Sequence, residues 1–304
     1  MLVSGTVADK PARMVDAGEP VVLSGPPPRF VGRGGEKLAA ALDHFGLDPS
    51  GLRALDAGAS TGGFTDCMLQ RGARHVTALD VGHGQLHERL RGDDRVEVVE
   101  RTNLRHVDPD ANDAYDAVVS DLSFISLRTV MDVLVRSTAT GGWLVLLVKP
   151  QFEAGRQEVS RGRGVITDPA VWRRAIVGVV GAALDAGATT MGLMVSPLHG
   201  ADGNTEFLLH LRSGAPVVPA VGGVPGETGV HGGTDVTGVG ETTGAERPER
   251  PGAAVQRRVE EMMDAALRVA CERAGIALEV SPEPTQSDGA EPAPLRRIAE
   301  DGRR

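Results

Sequence analysis

The chain has 304 residues, and its 41 acidic residues against 32 basic residues give a formal net charge of −9, so no global positive field indicates a nucleic-acid partner. Its two cysteines, Cys67 and Cys271, form neither a disulfide framework nor a metal-ligand spacing, and no metal site is expected. No stretch approaches the roughly 20 apolar residues of a membrane span, and the first residues do not resemble a signal peptide, so a cytoplasmic protein without a membrane span is expected.

The first predicted helix runs from about Gly35 to Gly46 and carries Lys37. Only three lysines occur in the chain, so a position that carries lysine is one where arginine would not perform the same role. Lysine can lose its proton when it is buried or close to another cation, whereas arginine remains charged. Lys149 follows an apolar run over 143–148, and both lysines are therefore candidate bases.

Strands are predicted near 53–57, 75–80, 95–100, 116–121, 142–149, 189–196 and 205–211, with helical segments between most of them. This alternation predicts an α/β fold, a Rossmann-like seven-stranded sheet with right-handed crossovers and helices on both faces. The last two strands are joined by a short segment over 196–200 and are predicted to pair antiparallel.

A glycine-rich turn over 58–63 follows the first strand of this sheet and precedes a helix, an arrangement that lets the backbone approach a ligand closely. Asp80 ends the next strand, where an acid can accept ribose hydroxyls. Asp56 precedes the turn; it would repel a pyrophosphate but suits the ammonium of a methionine moiety, so S-adenosyl-L-methionine is favoured over NAD. The predicted cofactor-binding residues are Asp56, Gly58, Ser60, Thr61, Gly62, Gly63, Phe64, Asp80, Val81, Thr102, Asn103 and Asp121.

Two acids stand at the ends of strand-like segments, Asp121 at the end of 116–121 and Glu206 at the start of the last strand. With Lys37 and Lys149 they give the order Lys, Asp, Lys, Glu. Each of these residues taken alone could be an ordinary surface charge. Together with a cofactor turn, the four are predicted to form a catalytic group.

From about Arg29 to Arg212 the chain resembles the TlyA family of ribosomal RNA 2'-O-methyltransferases, often called hemolysins, within the FtsJ-like methyltransferases. The matching stretches are Gly32-Arg33-Gly34 with Lys37, Asp56 to Thr65, Asp80-Val81-Gly82 with Gly84-Gln85-Leu86, Glu100 to Asn103, Asp121 to Leu127, Val148 to Glu153, and Ser196-Pro197 with Gly203-Asn204 and Glu206. The resemblance implies a Lys-Asp-Lys-Glu tetrad at Lys37, Asp121, Lys149 and Glu206. It also implies 2'-O-methylation of ribosomal RNA, at cytidines, with S-adenosyl-L-methionine.

The expected reaction is attack of a ribose 2'-hydroxyl on the sulfonium methyl group. Lys149 is the predicted base, because the nearby Lys37 disfavours two simultaneous ammonium charges; Lys37 is the next candidate. Asp121 and Glu206 are expected to orient the lysines and the hydroxyl. Thr102 and Asn103 are expected to meet the adenine.

The resemblance also bears on the domain organisation. Residues 1–28 resemble the last strands of the S4-like RNA-binding module of the family, whose helical half has no match in this sequence. Two interpretations remain open: the start of the sequence is placed too late, or RNA binding is weakened. Residues 29–212 form the methyltransferase domain. RNA contacts are expected from local arginines: Arg29, Arg33, Arg156, Arg161 and Arg163.

The residues after Arg212 change in character. Residues 213–252 contain eleven glycines and five prolines and are predicted to be a disordered linker. A C-terminal helix is predicted within 253–280, with an apolar stripe that would dock on the core or bind a partner. Residues 281–304 are predicted to be a disordered tail.

Two other functions remain open at this level. An enzyme that methylates amino groups is disfavoured, because the fourth strand ends in Ser120-Asp121-Leu122-Ser123 and not in an Asn/Asp-Pro-Pro-aromatic motif. A membrane-active hemolysin, which the family's other name suggests, lacks both an apolar span and a basic amphipathic helix, since 253–274 carries several acids.

Overall fold

The computed structural model of the chain describes residues 2–8, 13–22, 27–111, 113–155, 158, 164–214 and 251–276. Most of the predicted linker over 213–252, the end of the predicted helix and the predicted tail over 281–304 lie outside the described residues. So do Arg156, Arg161 and Arg163.

Three short strands at the N-terminal end of the chain form a small antiparallel sheet. The strands are β1 (Leu2–Val3), β2 (Thr6–Val7) and β3 (Val21–Val22), with β1 in the middle. Val3 is buried, whereas Val7, Val21 and Val22 are exposed. This small sheet is separate from the sheet that carries the candidate site.

Seven strands form the central sheet: β4 (Arg53–Ala57), β5 (His75–Leu79), β6 (Val96–Val99), β7 (Tyr115–Ser120), β8 (Thr138–Val148), β9 (Ala188–Val195) and β10 (Phe207–Ser213). Their order is β6-β5-β4-β7-β8-β10-β9. The first five run parallel, and β10 is antiparallel to both β8 and β9. The predicted seven-stranded α/β sheet, including the antiparallel closing pair, is therefore confirmed.

The start of β8 differs from the prediction. The sequence places this strand near 142–149, because Gly141 and Gly142 interrupt its apolar pattern, but the strand begins at Thr138. Its pairing with β7 shifts register between Tyr115 and Ala117, and Gly141 has a φ of +79°. The glycines thus form an irregularity within a longer strand and do not begin it.

Helices cover both faces of the sheet: α1 (Gly34–Phe45), α2 (Gly63–Gln70), α3 (Glu88–Arg91), α4 (Leu127–Arg136), α5 (Pro150–Glu153), α6 (Pro169–Asp185) and α7 (Pro251–Ala274). Successive strand residues point to opposite faces, so Val118 joins the core beneath α4 and α6 while Val119 joins the core beneath α1 and α2. Helix α7 adds Met263, Leu267 and Cys271 to the first of these cores.

The carboxyl ends of β4, β5, β7 and β8 meet at one edge of the sheet, because these strands are parallel. The loops that follow them carry most of the predicted site residues. Among the described residues, no helix is long and apolar enough to cross a membrane.

Candidate functional site

The glycine-rich turn after β4 lies against the end of β7. Gly58 has a φ of +92°, and a Cβ atom there would stand 3.0 Å from the carbonyl oxygen of Asp121. Gly62 has a φ of +95° and directly precedes α2 as its N-cap residue; a Cβ atom there would overlap Leu90. Glycine is therefore required both by the backbone conformation and by the close approach of neighbouring elements.

Asp56 lies behind this turn and is fully buried. Its Oδ2 atom accepts hydrogen bonds from the backbone N–H of Thr65, at 2.9 Å, and from the Thr65 hydroxyl, at 2.7 Å. Its Oδ1 atom is buried and has no hydrogen-bond partner. Asp56 thus holds the first turn of α2 and has one unpaired oxygen, but it lines neither of the two cavities described below.

Burial raises the pKa of Asp56 to about 7, against the lowering effect of the Thr65 hydrogen bonds. The unfolded chain releases this proton near pH 3.8, so the folded protein holds more protons between these values. The free energy of unfolding should therefore fall as the pH rises from about 4 to 7, by up to about 1.4 kcal/mol per pH unit. Asp56→Asn should remove this contribution.

Urea unfolding of the natural protein and of Asp56→Asn between pH 4 and pH 8 measures this effect. The difference between the two proteins isolates Asp56, because other groups such as His210 titrate in both. Stability profiles that run parallel over this range would show that Asp56 is ionised throughout.

A cavity of about 520 Å³ opens at the carboxyl edge of the sheet. The predicted cofactor residues that line it are Gly58, Ser60, Asp80, Val81, Thr102, Asn103 and Asp121. The Asp80 carboxylate accepts hydrogen bonds from the backbone N–H of Ser60, at 2.8 Å, and of Gly82, at 2.6 Å. Two backbone donors thus fix this carboxylate at the cavity wall, and each oxygen retains a lone pair that can accept a hydroxyl.

Several residues outside the predicted site set line the same cavity: Gln85, Arg105, Leu122, Ser123, Phe124 and Ile125. All of them except Arg105 lie in the stretches that resemble the family. Most of them directly follow the end of a predicted strand, and this position is the sequence feature that could have identified them. The loop after Asp80 is held from outside the cavity by Glu100, which accepts a hydrogen bond from the backbone N–H of Gly84 at 2.9 Å and contacts His83 Nδ1 at 2.7 Å.

The four predicted catalytic residues form two lysine–carboxylate ion pairs. Lys37 Nζ lies 2.5 Å from Glu206 Oε2, and both side chains are buried. Lys149 Nζ lies 2.6 Å from Asp121 Oδ1. Phe207 of β10 pairs with Val148 of β8, so Glu206 and Lys149, which adjoin these strand ends, bring the two ion pairs next to each other.

The two ion pairs differ in their access to ligand. A second cavity, of about 160 Å³, is lined by Gly34, Gly58, Ala59, Ser60, Thr61, Gly63, Phe64, Asp121, Ser123 and Lys149. It shares Gly58, Ser60, Asp121 and Ser123 with the larger cavity, so the two are neighbours. Lys149 and Asp121 therefore face ligand space, whereas Lys37 and Glu206 lie outside the lining of both cavities.

The loop between β7 and α4 is anchored by Glu153, which belongs to the turn after Lys149. The Glu153 carboxylate accepts hydrogen bonds from the Ser126 hydroxyl, at 2.5 Å, and from the backbone N–H of Leu127, at 2.7 Å. Burial raises the pKa of this carboxyl group. The anchored loop presents Phe124, which is 92 % exposed, has a φ of +65°, and lies 5.5 Å from the ring of Phe152.

Within the described residues, no group of three or more His, Cys, Asp or Glu side chains is arranged to hold a metal ion. The polar groups around the cavities are instead two carboxylates, one lysine, one arginine, two side-chain amides, hydroxyls and backbone amides. This set suits a ligand that offers hydroxyls and a positive charge.

Comparisons with known proteins agree with this architecture. The family model for FtsJ-like methyltransferases matches residues 30–213. The 16S/23S rRNA (cytidine-2'-O)-methyltransferase TlyA of Mycobacterium tuberculosis is 46% identical over 213 residues, which are 69% of this chain and 79% of that protein. Hemolysin A of Brachyspira hyodysenteriae is 41% identical over 184 residues, which are 60% of this chain and 76% of that protein.

Among solved structures, a Streptococcus thermophilus protein with a provisional hemolysin name is 42% identical and superposes with a TM-score of 0.62. The match covers 71% of this chain and 80% of that one. The family model spans more than half of the chain, and the Mycobacterium tuberculosis relative is 46% identical over 69% of it. The chain belongs to the FtsJ-like methyltransferase family.

Proposed function

We propose that this protein methylates the 2'-hydroxyl of a ribose in ribosomal RNA, at cytidine, with S-adenosyl-L-methionine as methyl donor. The observation that carries the proposal is the Lys149–Asp121 ion pair, which faces the junction between the cavity beside the glycine turn and a smaller neighbouring cavity. The name of the Mycobacterium tuberculosis relative describes the same reaction.

The residues of the larger cavity fit S-adenosyl-L-methionine. Asp80 offers carboxylate oxygens to ribose hydroxyls, and the exposed Val81 offers an apolar surface to an adenine ring. Gly58 lets the backbone approach the ligand. When bound, the cofactor supplies an electrophilic methyl group on a sulfonium.

Lys149 is the proposed base. A ribose hydroxyl is a weak nucleophile at neutral pH and must lose its proton as it reacts, so a neutral amine within reach accelerates the step. Asp121 holds this amine at the end of β8. Lys37 and Glu206 are buried together beneath the site, and their proposed role is to fix the starts of α1 and β10, and thereby the position of Lys149.

The exposed Phe124 is the proposed platform for a nucleobase of the RNA. An aromatic side chain that is almost fully exposed at a cavity rim offers its face for stacking, and such stacking contributes about 1–3 kcal/mol per base. Arg29 and Arg33 are exposed near the start of α1 and can contact phosphates.

Replacement of this ring measures its contribution. Phe124→Ala should raise the KM for RNA about tenfold or more, with a smaller change in the affinity for S-adenosylhomocysteine. Steady-state methyl transfer with varied RNA tests this, and Leu184→Ala, which removes an exposed apolar side chain on α6, is the matched control. Equal KM values for the two variants would exclude Phe124 as the stacking platform.

Transfer of tritium from labelled S-adenosyl-L-methionine to purified ribosomal subunits tests the proposed function. Digestion of the product RNA should yield 2'-O-methylcytidine. A label found only on base amino groups would support amino methylation, and liposome leakage at similar protein concentrations without any transfer would support a hemolysin. Either result would overturn the proposal.

A further inference from the structure

Lys149 Nζ has a second oxygen neighbour besides Asp121. It donates a hydrogen bond to the hydroxyl oxygen of Ser123 at 2.9 Å. The contact with Asp121 Oδ1 is a close ion pair, but that oxygen has no aligned hydrogen bond. The contact with a defined direction at Nζ is therefore the one to Ser123.

Direction matters here because a lysine base reacts through a lone pair. The lysine side chain is a flexible stem of four carbons, and its terminal nitrogen can rotate freely. A neutral amine has two N–H bonds and one lone pair, arranged tetrahedrally with the bond to Cε. If one N–H points to Ser123 and the other lies against Asp121, the lone pair has only one remaining direction.

The lining of the two cavities shows where Ser123 lies relative to the Lys149 amine. Ser123 and Asp121 line both cavities, whereas Lys149 lines the smaller one. The two acceptors thus stand at the junction between the cavities. With its two N–H bonds directed to these acceptors, the amine keeps its lone pair free for a nucleophile that enters the smaller cavity, which Lys149 lines.

We propose that Ser123 is a positioning residue that orients the Lys149 amine toward the ribose hydroxyl. The inference rests on the proposed function, since it assumes that Lys149 acts as a base. It adds a fifth member to the Lys37, Asp121, Lys149 and Glu206 group. Ser123 itself is exposed, so truncation of its side chain leaves the folded core intact.

Ser123→Ala removes the acceptor and should lower the single-turnover rate of methyl transfer at saturating enzyme by about tenfold to a hundredfold, a part of what a positioned base contributes. This hydrogen bond favours the ammonium form of Lys149. Its loss should therefore shift one limb of the pH–rate profile, the limb that reports the base, toward lower pH. Ser123→Thr keeps the hydroxyl and should restore both the rate and the limb. Ser50→Ala, at the opposite edge of the sheet, is the matched control and should change neither.

Calorimetry with S-adenosylhomocysteine, expected to agree within a few-fold between variants, separates positioning from cofactor binding. A lower rate in Ser123→Ala without a shifted limb would reveal only a structural role and overturn the inference. A natural rate in Ser123→Ala, or a failure of Ser123→Thr to restore the rate, would overturn it as well. Absence of transfer by the natural protein to any ribosomal RNA would instead overturn the proposed function, and this role with it.

Discussion

Lys149→Arg is expected to abolish methyl transfer while it leaves the affinity for S-adenosylhomocysteine within a few-fold of the natural value. Arginine keeps the positive charge beside Asp121 but stays protonated at any accessible pH, so it cannot accept a proton from the nucleophile. A positioned general base contributes about 10²–10⁴ in rate, and the loss should be of this size. Single-turnover assays between pH 7 and pH 9 measure it.

The matching variant at the second lysine separates the two ion pairs. Lys37 lies outside the lining of both cavities, so Lys37→Arg should retain measurable transfer and an unchanged pH dependence, with a loss that reflects disturbed packing around Glu206. If Lys149→Arg remained active across this pH range and Lys37→Arg did not, Lys37 would be the base.

The second large effect is expected at Asp80. Its carboxylate is fixed by the backbone N–H groups of Ser60 and Gly82 at the wall of the larger cavity, and a bond from a ribose hydroxyl to a charged acceptor contributes roughly 1.5–3 kcal/mol. Asp80→Ala also releases the two backbone donors. The variant should lose S-adenosylhomocysteine binding by at least about a hundredfold, which corresponds to about 2.7 kcal/mol and lies in the upper part of the range for one such bond.

Isothermal calorimetry with S-adenosylhomocysteine measures this loss. Asp48→Ala is the matched control, because Asp48 is an exposed acid that precedes β4, at the opposite edge of the sheet. Thermal unfolding of both variants tests whether the sheet is intact. Natural affinity in Asp80→Ala, or tight binding of NAD in place of S-adenosylhomocysteine, would contradict the cofactor assignment.

The sheet could be predicted from sequence because most of its strands are short apolar runs bounded by turn residues. Strands β4 and β5 begin and end within a residue of the prediction. The start of β8 could not be predicted, since Gly141 and Gly142 mark a strand end by local rules, and only pairing with β7 extends the strand through them.

The candidate site was predictable to a smaller extent. Residue type and strand-end position selected Lys149 and Asp121, but they do not show which lysine pairs with which acid, because that depends on how α1 and the loop after β7 pack against the strand ends. The spacing suggested a ligand contact for Asp56, yet the residue is buried against Thr65. Ser123 lies in a stretch that resembles the family, but its residue type does not indicate its role, which depends on a hydrogen bond across two loops.

The same physical limit applies to the C-terminal helix. Its apolar stripe is compatible with docking or with a partner, and the stripe alone does not choose between them. In the structure, Leu267 and Cys271 of α7 are buried in the core beneath β9 and α6, and Arg273 donates a hydrogen bond to the Ser196 carbonyl at 3.0 Å. The helix thus packs on the domain at the strand end that precedes Glu206.

Mapping of 2'-O-methyl groups in ribosomal RNA from cells with and without the gene tests the central claim most directly. Cells that lack the gene should lose methylation at one or more cytidine riboses. The natural protein should restore these sites, and Lys149→Arg, expressed at the same level, should not. Identical maps in the presence and absence of the gene, or full restoration by Lys149→Arg, would contradict the account.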